Sequence, residues 1–267
     1  MITFVTTSVS YGSLYTEQIT YIVAMKITLI GYGRMGHAIE QVAHSRGHEI
    51  VGRIDKDDQA SIPSETDVVI DFSTPDTAYS NICRAIVSGF PVVSGTTGWT
   101  DRMEEIRTQV REHDGAFFYS SNFSIWVFLF RHLVREAAKL INNLPQYSEV
   151  QMEEVHHIHK LDYPSGTALT VAGDIISEMD RYSDTRAYLG NADKPTVAEN
   201  QLLIHSLREG EVPGIHRVAF GSPQDVIRLE HKAYGREGFA MGAVMAAEFL
   251  QGKKGWYGME DMLHFDK

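Results

Sequence analysis

Between residues 25 and 124, short β-rich runs alternate with helical stretches, and this constrains the fold more than any other feature of the chain. The β-rich runs are 27–30, 49–54, 67–72, 91–94 and 116–119; helical stretches 37–46, 77–88 and 101–113 separate several of them. Parallel strands need a long crossover, usually a helix, so the alternation predicts a parallel sheet with helices on both faces. The pattern changes after residue 124. Residues 125–142 predict a long, mostly apolar helix leaving the first domain. Beyond it 149–155, 186–188, 202–207, 217–221 and 226–233 read as strands, with one clear helix, 167–179, among them. Few intervening helices predict a mixed or largely antiparallel sheet with one covering helix. Residues 238–251 return to helix, with Ala240, Gly242, Ala243, Ala246 and Ala247 suited to close packing. The expected fold class is α/β: a parallel-sheet domain at 25–124, then a smaller α+β domain with a mixed sheet at 125–235.

The first strand runs into Gly31-Tyr32-Gly33-Arg34-Met35-Gly36, and a helix follows. Gly31 permits a tight turn, Gly33 lets the backbone approach a pyrophosphate, and Gly36 lets the helix pack on the strand. The phosphates of a dinucleotide would sit at the helix N-terminus, where N–H groups and the helix dipole favour anions. Asp55, ending the next strand, is placed to accept from ribose hydroxyls, which favours NADH. Arg53 and Lys56 beside it can attract a 2′-phosphate, so NADPH stays open. The competing reading is a glycine turn in an unrelated α/β protein. Gly95-Thr96-Thr97-Gly98 and Ser120-Ser121-Asn122-Phe123-Ser124 each follow a strand at its carboxyl end, where open α/β sheets bind ligands. Each can be an ordinary polar turn; as a pair they are expected to line the nicotinamide end.

The formal net charge of −11 argues against a nucleic-acid partner, and no apolar run approaches a membrane span. Cys83 is the single cysteine, so neither an internal disulfide nor a thiolate metal cluster can form, and it reads as a buried small hydrophobe. Residues 1–24 are rich in Thr, Ser and Tyr and lack the parts of a signal peptide. They read as an extension added to a natural start at Met25.

Residues 153–167, Glu-Glu-Val-His-His-Ile-His-Lys-Leu-Asp-Tyr-Pro-Ser-Gly-Thr, are the densest cluster of chemistry in the chain. Three His and a Lys at a strand end allow a metal site, a proton-transfer site or a solvated polar loop. Zinc is disfavoured by the lack of Cys and of HExxH spacing, and by the charge of Lys160. In the favoured reading His156 transfers a proton near neutral pH, and Lys160 donates toward developing negative charge. Ser165, Gly166 and Thr167 open a helix whose N–H groups bind a carboxylate, with His157 donating to the same anion. Such a set suits a small acid that receives hydride from a nicotinamide.

These segments resemble the 4-hydroxy-tetrahydrodipicolinate reductase family, formerly dihydrodipicolinate reductase. IGYGRMG, IDFSTPDT, VVSGTTGW, SSNFS, EEVHHIHKLDYPSGTAL and HKAYGREGFAMGA occur in the family's order from Met25 to the C-terminus. The resemblance implies a Rossmann domain completed by residues 236–267, a central substrate and oligomerisation domain, and a cytoplasmic homotetramer. It implies reduction of 4-hydroxy-tetrahydrodipicolinate with loss of water, on the diaminopimelate route to lysine, without a metal. His156 and Lys160 would be catalytic, with His157, Gly166 and Thr167 on the substrate. Gly31 to Gly36, Asp55, Gly95 to Thr97 and Ser120 to Phe123 would hold NADH or NADPH. Trp126, Phe128 and Tyr163 depart from the family pattern, and the aromatics at 126 and 128 are expected to narrow the mouth or stiffen a hinge. The rival readings are another two-domain amino-acid dehydrogenase and a catalytically silent NAD(H)-binding sensor.

Overall fold

The computed structural model describes residues 23–264 except 56, 57, 59, 148 and 191. The reading of 1–24 as an extension therefore falls, but for its last two residues, outside the described residues, as does that of Lys56. The chain begins with β1 (Lys26–Ile30), α1 (Arg34–Ser45), β2 (Glu49–Ile54), β3 (Val68–Asp71), α2 (Pro75–Val87), β4 (Val92–Ser94), α3 (Met103–Glu112) and β5 (Ala116–Tyr119). It continues with α4 (Ile125–Asn142), β6 (Glu149–His156), α5 (Gly166–Glu178), β7 (Asp184–Leu189), β8 (Gln201–Arg208), β9 (Gly214–Gly221) and β10 (Val226–Ala233). It closes with α6 (Glu237–Phe249), β11 (Gly255–Tyr257) and α7 (Met259–Leu263). Two compact units result, one of residues up to Ser124 together with Arg236 onward, the other of Ile125–Gly235.

In the first unit the strands lie in the order β11-β5-β4-β3-β1-β2, every pair parallel. The strands β3 and β4 are buried along their whole length, which a parallel sheet covered on both faces requires. From β1 the chain steps to β2 on one side and then to β3 on the other. The crevice outside the carboxyl ends at that reversal is where such sheets bind ligands. The small residues of α6 are buried, and a Cβ added to Gly242 would lie 1.8 Å from the Phe123 carbonyl oxygen. Glycine at 242 thus lets α6 seat on the backbone that follows β5.

Helix α1 starts at Arg34, three residues earlier than the apolar pattern indicates, because Gly33 is its extended N-cap. The short edge strand β11 and helix α7 had no periodic signal and were not expected. Cys83 is half-buried beside an apolar cluster, not buried as its residue type led us to expect.

In the second unit the order is β10-β9-β6-β8-β7. The β10–β9 and β9–β6 pairs are antiparallel, while β6–β8 and β8–β7 are parallel. The sheet is therefore mixed. Alternation puts Val150 and Met152 of β6 on one face, where they pack with Val134, Ala138, Val171 and Ile175 from α4 and α5. Arg131 donates to Asp174 at 2.7 and 3.0 Å and locks those two helices together. The other face carries Glu153, Arg217, Glu230 and His205 around a depression of about 970 Å³.

Candidate active site

At the carboxyl edge of the parallel sheet, Gly31 has φ +86°, and an added Cβ would meet the Phe72 carbonyl oxygen at 2.2 Å. Only glycine fits that turn. A Cβ on Gly36 would lie 2.6 Å from the Gly31 carbonyl oxygen, so the first turn of α1 packs directly on the loop. At Gly33 an added Cβ meets nothing within 4 Å, and no side chain caps the start of α1. Open space before uncapped N–H groups is what a pyrophosphate requires. Arg34 and Met35 occupy the first turn of that helix.

Asp55 is exposed just beyond β2, as expected. Arg53 is not available in the way its position suggests, because it and Tyr32 both donate to Glu40 on α1. The hydrogen bond from Arg53 holds the Glu40 carboxyl down at about 2 despite partial burial. The pairing offsets the guanidinium charge that would otherwise attract a 2′-phosphate, although it uses only part of the N–H donors.

The loop after β4 turns partly inward. Asp71 is fully buried and accepts from Ser73 Oγ at 2.7 Å, Thr96 Oγ1 at 2.8 Å and Ser94 Oγ at 3.0 Å. Burial nevertheless pushes its carboxyl above the ordinary carboxylate range. Thr96 therefore shapes the rim through Asp71, while Thr97 is exposed there and Gly95 sits against the Phe72 ring. Of the 120–124 turn, Ser120 Oγ donates to the Asn122 carbonyl at 2.6 Å and Ser121 is exposed. The Phe123 side chain packs inward on Phe72 and Phe118, leaving only its backbone for a ligand. Trp126 is 69% exposed on the first turn of α4, and Phe128 is half-buried.

In the second unit, strand pairing builds the other constellation. The register sets Glu154 opposite Ser206 on β8 and His216 on β9, and His156 opposite Arg208. Glu154 is fully buried. It accepts from the Ser165 N–H at 3.1 Å and from Ser206 Oγ at 2.8 Å, and its other near neighbours are His156 Nδ1 at 3.4 Å, Arg208 Nη1 at 3.7 Å and His216 Nε2 at 4.0 Å. The Ser165 side chain caps α5 by accepting from the Ala168 N–H at 3.2 Å, and it meets His216 Nε2 at 3.2 Å. Gly166 and Thr167 form the first turn of α5, ahead of its own ladder, which begins with Leu169 N–H to the Ser165 carbonyl at 3.0 Å. Lys160 is tied to Asp162 at 2.8 and 2.9 Å, and Arg208 holds the loop by donating to the carbonyls of Lys160 at 3.1 Å and Asp162 at 2.6 Å. His157 and His159 lie in the same loop with their rings tilted to each other, 6.1 Å between ring centres.

The electrostatics follow from burial. For Glu154 burial is the largest influence and acts upward, but the bonds from Ser165 and Ser206 and the charge of His156 outweigh it and lower the carboxyl. His156 is lowered, first by burial; Glu154 opposes this, and Lys160, Arg208 and His157 reinforce it. Burial, then His156, brings His216 down from 6.5 to about 4. Between those two values the unfolded chain takes up a proton that the folded one refuses, so stability rises with pH across that window and is lost as pH falls through it. Urea midpoints should therefore drop between pH 7 and pH 5, and the drop should be smaller in His216→Gln; an undiminished drop would remove His216 as a source. The ligand atoms of Glu154, His156 and His216 lie within 4.8 Å of one another, close enough to share a cation. Arg208 and Lys160 oppose one, and Ser165 and Ser206 already occupy the carboxylate.

Sequence reasoning missed Asp71, Glu154, Ser206, Arg208, Gly214 and His216. A Cβ on Gly214 would lie 3.2 Å from His156 Nε2, so this glycine clears the side of the ring turned from Glu154. Only Asp71 and Glu154 lay in segments already singled out.

A family profile described as "Dihydrodipicolinate reductase, N-terminus" matches residues 25–123, and one described as "Dihydrodipicolinate reductase, C-terminus" matches 127–263. The 4-hydroxy-tetrahydrodipicolinate reductase of Christiangramia forsetii is 43% identical over 241 residues, 90% of this chain and 98% of that protein. The protein of that name from Methanoregula boonei is 34% identical over 261 residues, 91% of this chain and 99% of its own length. A solved structure, dipicolinate-bound dihydrodipicolinate reductase from Paenisporosarcina sp. TG-14, shares the fold with a TM-score of 0.71 at 21% identity, covering 90% of this chain and 99% of that one.

Proposed function

The chain belongs to the dihydrodipicolinate reductase family, and from that premise we propose that it reduces 4-hydroxy-tetrahydrodipicolinate with NADH or NADPH, releasing water. The product is tetrahydrodipicolinate, on the diaminopimelate route to lysine. The observation that carries the reading is the convergence, at the carboxyl end of β6, of His156, Arg208 and the N-terminus of α5 around the buried Glu154, with Arg208 also holding the loop that carries Lys160.

The first unit is a nucleotide-binding Rossmann domain. Its Gly31–Gly36 loop, Asp55, the Gly95–Thr97 rim and the Ser120–Phe123 backbone would hold the cofactor, and the open approach at Gly33 fits a pyrophosphate. When bound, the reduced nicotinamide supplies a hydride. In the second unit Gly166 and Thr167 N–H groups, with His157, hold a substrate carboxylate. Lys160 donates toward the negative charge that reduction leaves on the ring, and His156 transfers the proton. The substrate is thus a small cyclic dicarboxylate. Among the described residues no helix is long and apolar enough to cross a membrane, and we place the enzyme in the cytoplasm. The open, charge-lined face of the second sheet is where we place the subunit contacts of a homotetramer.

The direct test is NADH and NADPH oxidation with enzymatically generated substrate. A chain that binds cofactor but oxidises neither would revert to the sensor reading. On cofactor choice, Asp55 faces solvent at the ribose position while Glu40 occupies Arg53, so NADH should bind at least as tightly as NADPH. Asp55→Ala should weaken NADH more than NADPH in calorimetry; equal losses would sink the assignment.

A further inference from the structure

Reduction as proposed above assigns jobs to His156, Lys160 and the start of α5, but gives none to the most deeply buried ionisable group of that unit. Glu154 is fully buried, on the strand face beneath the site, and touches both halves of the site. Toward the anion-binding half, both of its oxygens lie 3.1 Å from the Ser165 N–H, the donor immediately before α5. Toward the proton-transfer half, its Oε2 stands 3.4 Å from His156 Nδ1, a buried atom with no hydrogen-bond partner among the described residues. Ser206 Oγ at 2.8 Å and Arg208 at 3.7 Å hold the carboxylate from β8, so it cannot swing away. On the opposite side of the imidazole, Gly214 leaves room beside Nε2.

We propose that Glu154 is the positioning residue of this site: its carboxylate keeps the His156 proton on Nδ1, leaves Nε2 as the atom that exchanges a proton with substrate, and anchors the N-terminus of α5 in the same register. The inference rests on the reductase reading for the purpose of the proton, but not for its placement. A carboxylate facing one ring nitrogen of a histidine favours the proton there and leaves the other nitrogen to exchange one. A fixed negative charge 3.4 Å from Nδ1 favours N–H there. The remaining neighbours do not compete for that role. Arg208, Lys160 and His157 are donors or cations that lower His156. His216 faces it from β9 with ring centres 5.3 Å apart, and His231 on β10 lies behind His216 at 6.4 Å. A removed carboxylate leaves cations and imidazoles around His156, so its proton becomes easier to lose.

The test uses the full chain and two substitutions. Glu154→Gln keeps an oxygen for the Ser165 N–H and removes the charge; Glu154→Ala removes both. Long-range ¹H–¹⁵N correlation spectra of ¹⁵N-histidine protein report the tautomer without any turnover. Wild type should show His156 protonated on Nδ1, and Glu154→Gln should show a mixture or the Nε2–H form. In kinetics, Glu154→Gln should lower kcat at least about tenfold, with KM for substrate near normal, and should move the histidine limb of the pH profile to lower pH. Glu154→Ala should in addition raise KM for substrate. NADH affinity should hold in both, which checks that the dinucleotide unit is folded. A Glu154→Gln protein with the wild-type tautomer and pH limb would overturn the proposal, as would wild-type His156 protonated on Nε2. If wild type fails to reduce the substrate, the function reading falls, while the spectra still decide the role of Glu154.

Discussion

Lys160→Ala and His156→Ala are each expected to lower kcat by about 10²–10⁴-fold, the usual cost of losing a general acid or its electrostatic partner. KM for NADH should change little, because both side chains belong to the second unit and the dinucleotide loop to the first. The double variant should fall short of the product of the single effects, since groups acting on one transferred proton are not additive. The geometry sharpens this expectation for Lys160. Its side chain is 21% exposed and its ammonium is held on Asp162, while Arg208 fixes the loop carbonyls on either side. The charge is thus delivered at one place by a tethered loop. Lys160→Arg should not restore it, because a broad planar guanidinium cannot occupy the ammonium's position. Near-normal kcat in Lys160→Ala would remove the residue from the mechanism and revive the sensor reading.

How much of this was legible in the sequence depends on whether the signal was local. The turn at Gly31–Gly36 was readable because strand, turn and helix follow one another within a few residues, and the physics of each glycine is local. His156, Lys160 and Ser165–Thr167 were readable for the same reason: one strand end, one loop and one helix start carry them all. Ser206, Arg208, Gly214 and His216 were not. They reach Glu154 and His156 only through the register of β6 with β8 and β9, which aligns residues more than fifty positions apart. A parallel pair such as β6–β8 has no hairpin to announce its register. Thr96 and Phe123 follow β4 and β5, but their side chains turn inward. Asp71 draws the Thr96 hydroxyl down, and Phe72 with Phe118 encloses the Phe123 ring. The pairing of Arg53 with Glu40 was equally hidden, because a neighbour thirteen residues away on α1 neutralises a charge that the sequence alone leaves free.

Gly31→Ala and Gly33→Ala should separate the architectural glycine from the one reserved for ligand. At Gly31, φ is +86°, and an alanine held in left-handed backbone costs roughly 1–2 kcal/mol. Its Cβ would also stand 2.2 Å from the Phe72 carbonyl oxygen, so the end of β3 must move. Overpacking of that kind costs roughly 1–3 kcal/mol. Together these predict a loss of about 2–5 kcal/mol and a Tm lower by on the order of 10 °C. NADH binding should fall with it, because Phe72 and Gly31 share the rim. At Gly33 the same methyl meets nothing within 4 Å, in backbone that is not left-handed. Its Tm should stay within about 2 °C of wild type, as for a surface change of about 0.5 kcal/mol. Its methyl would occupy the approach to the N–H groups of α1, so NADH affinity should drop without the loss of stability. Calorimetry and thermal melts on both variants check the pair. A Gly33→Ala protein that binds NADH as wild type does would mean the pyrophosphate does not approach there.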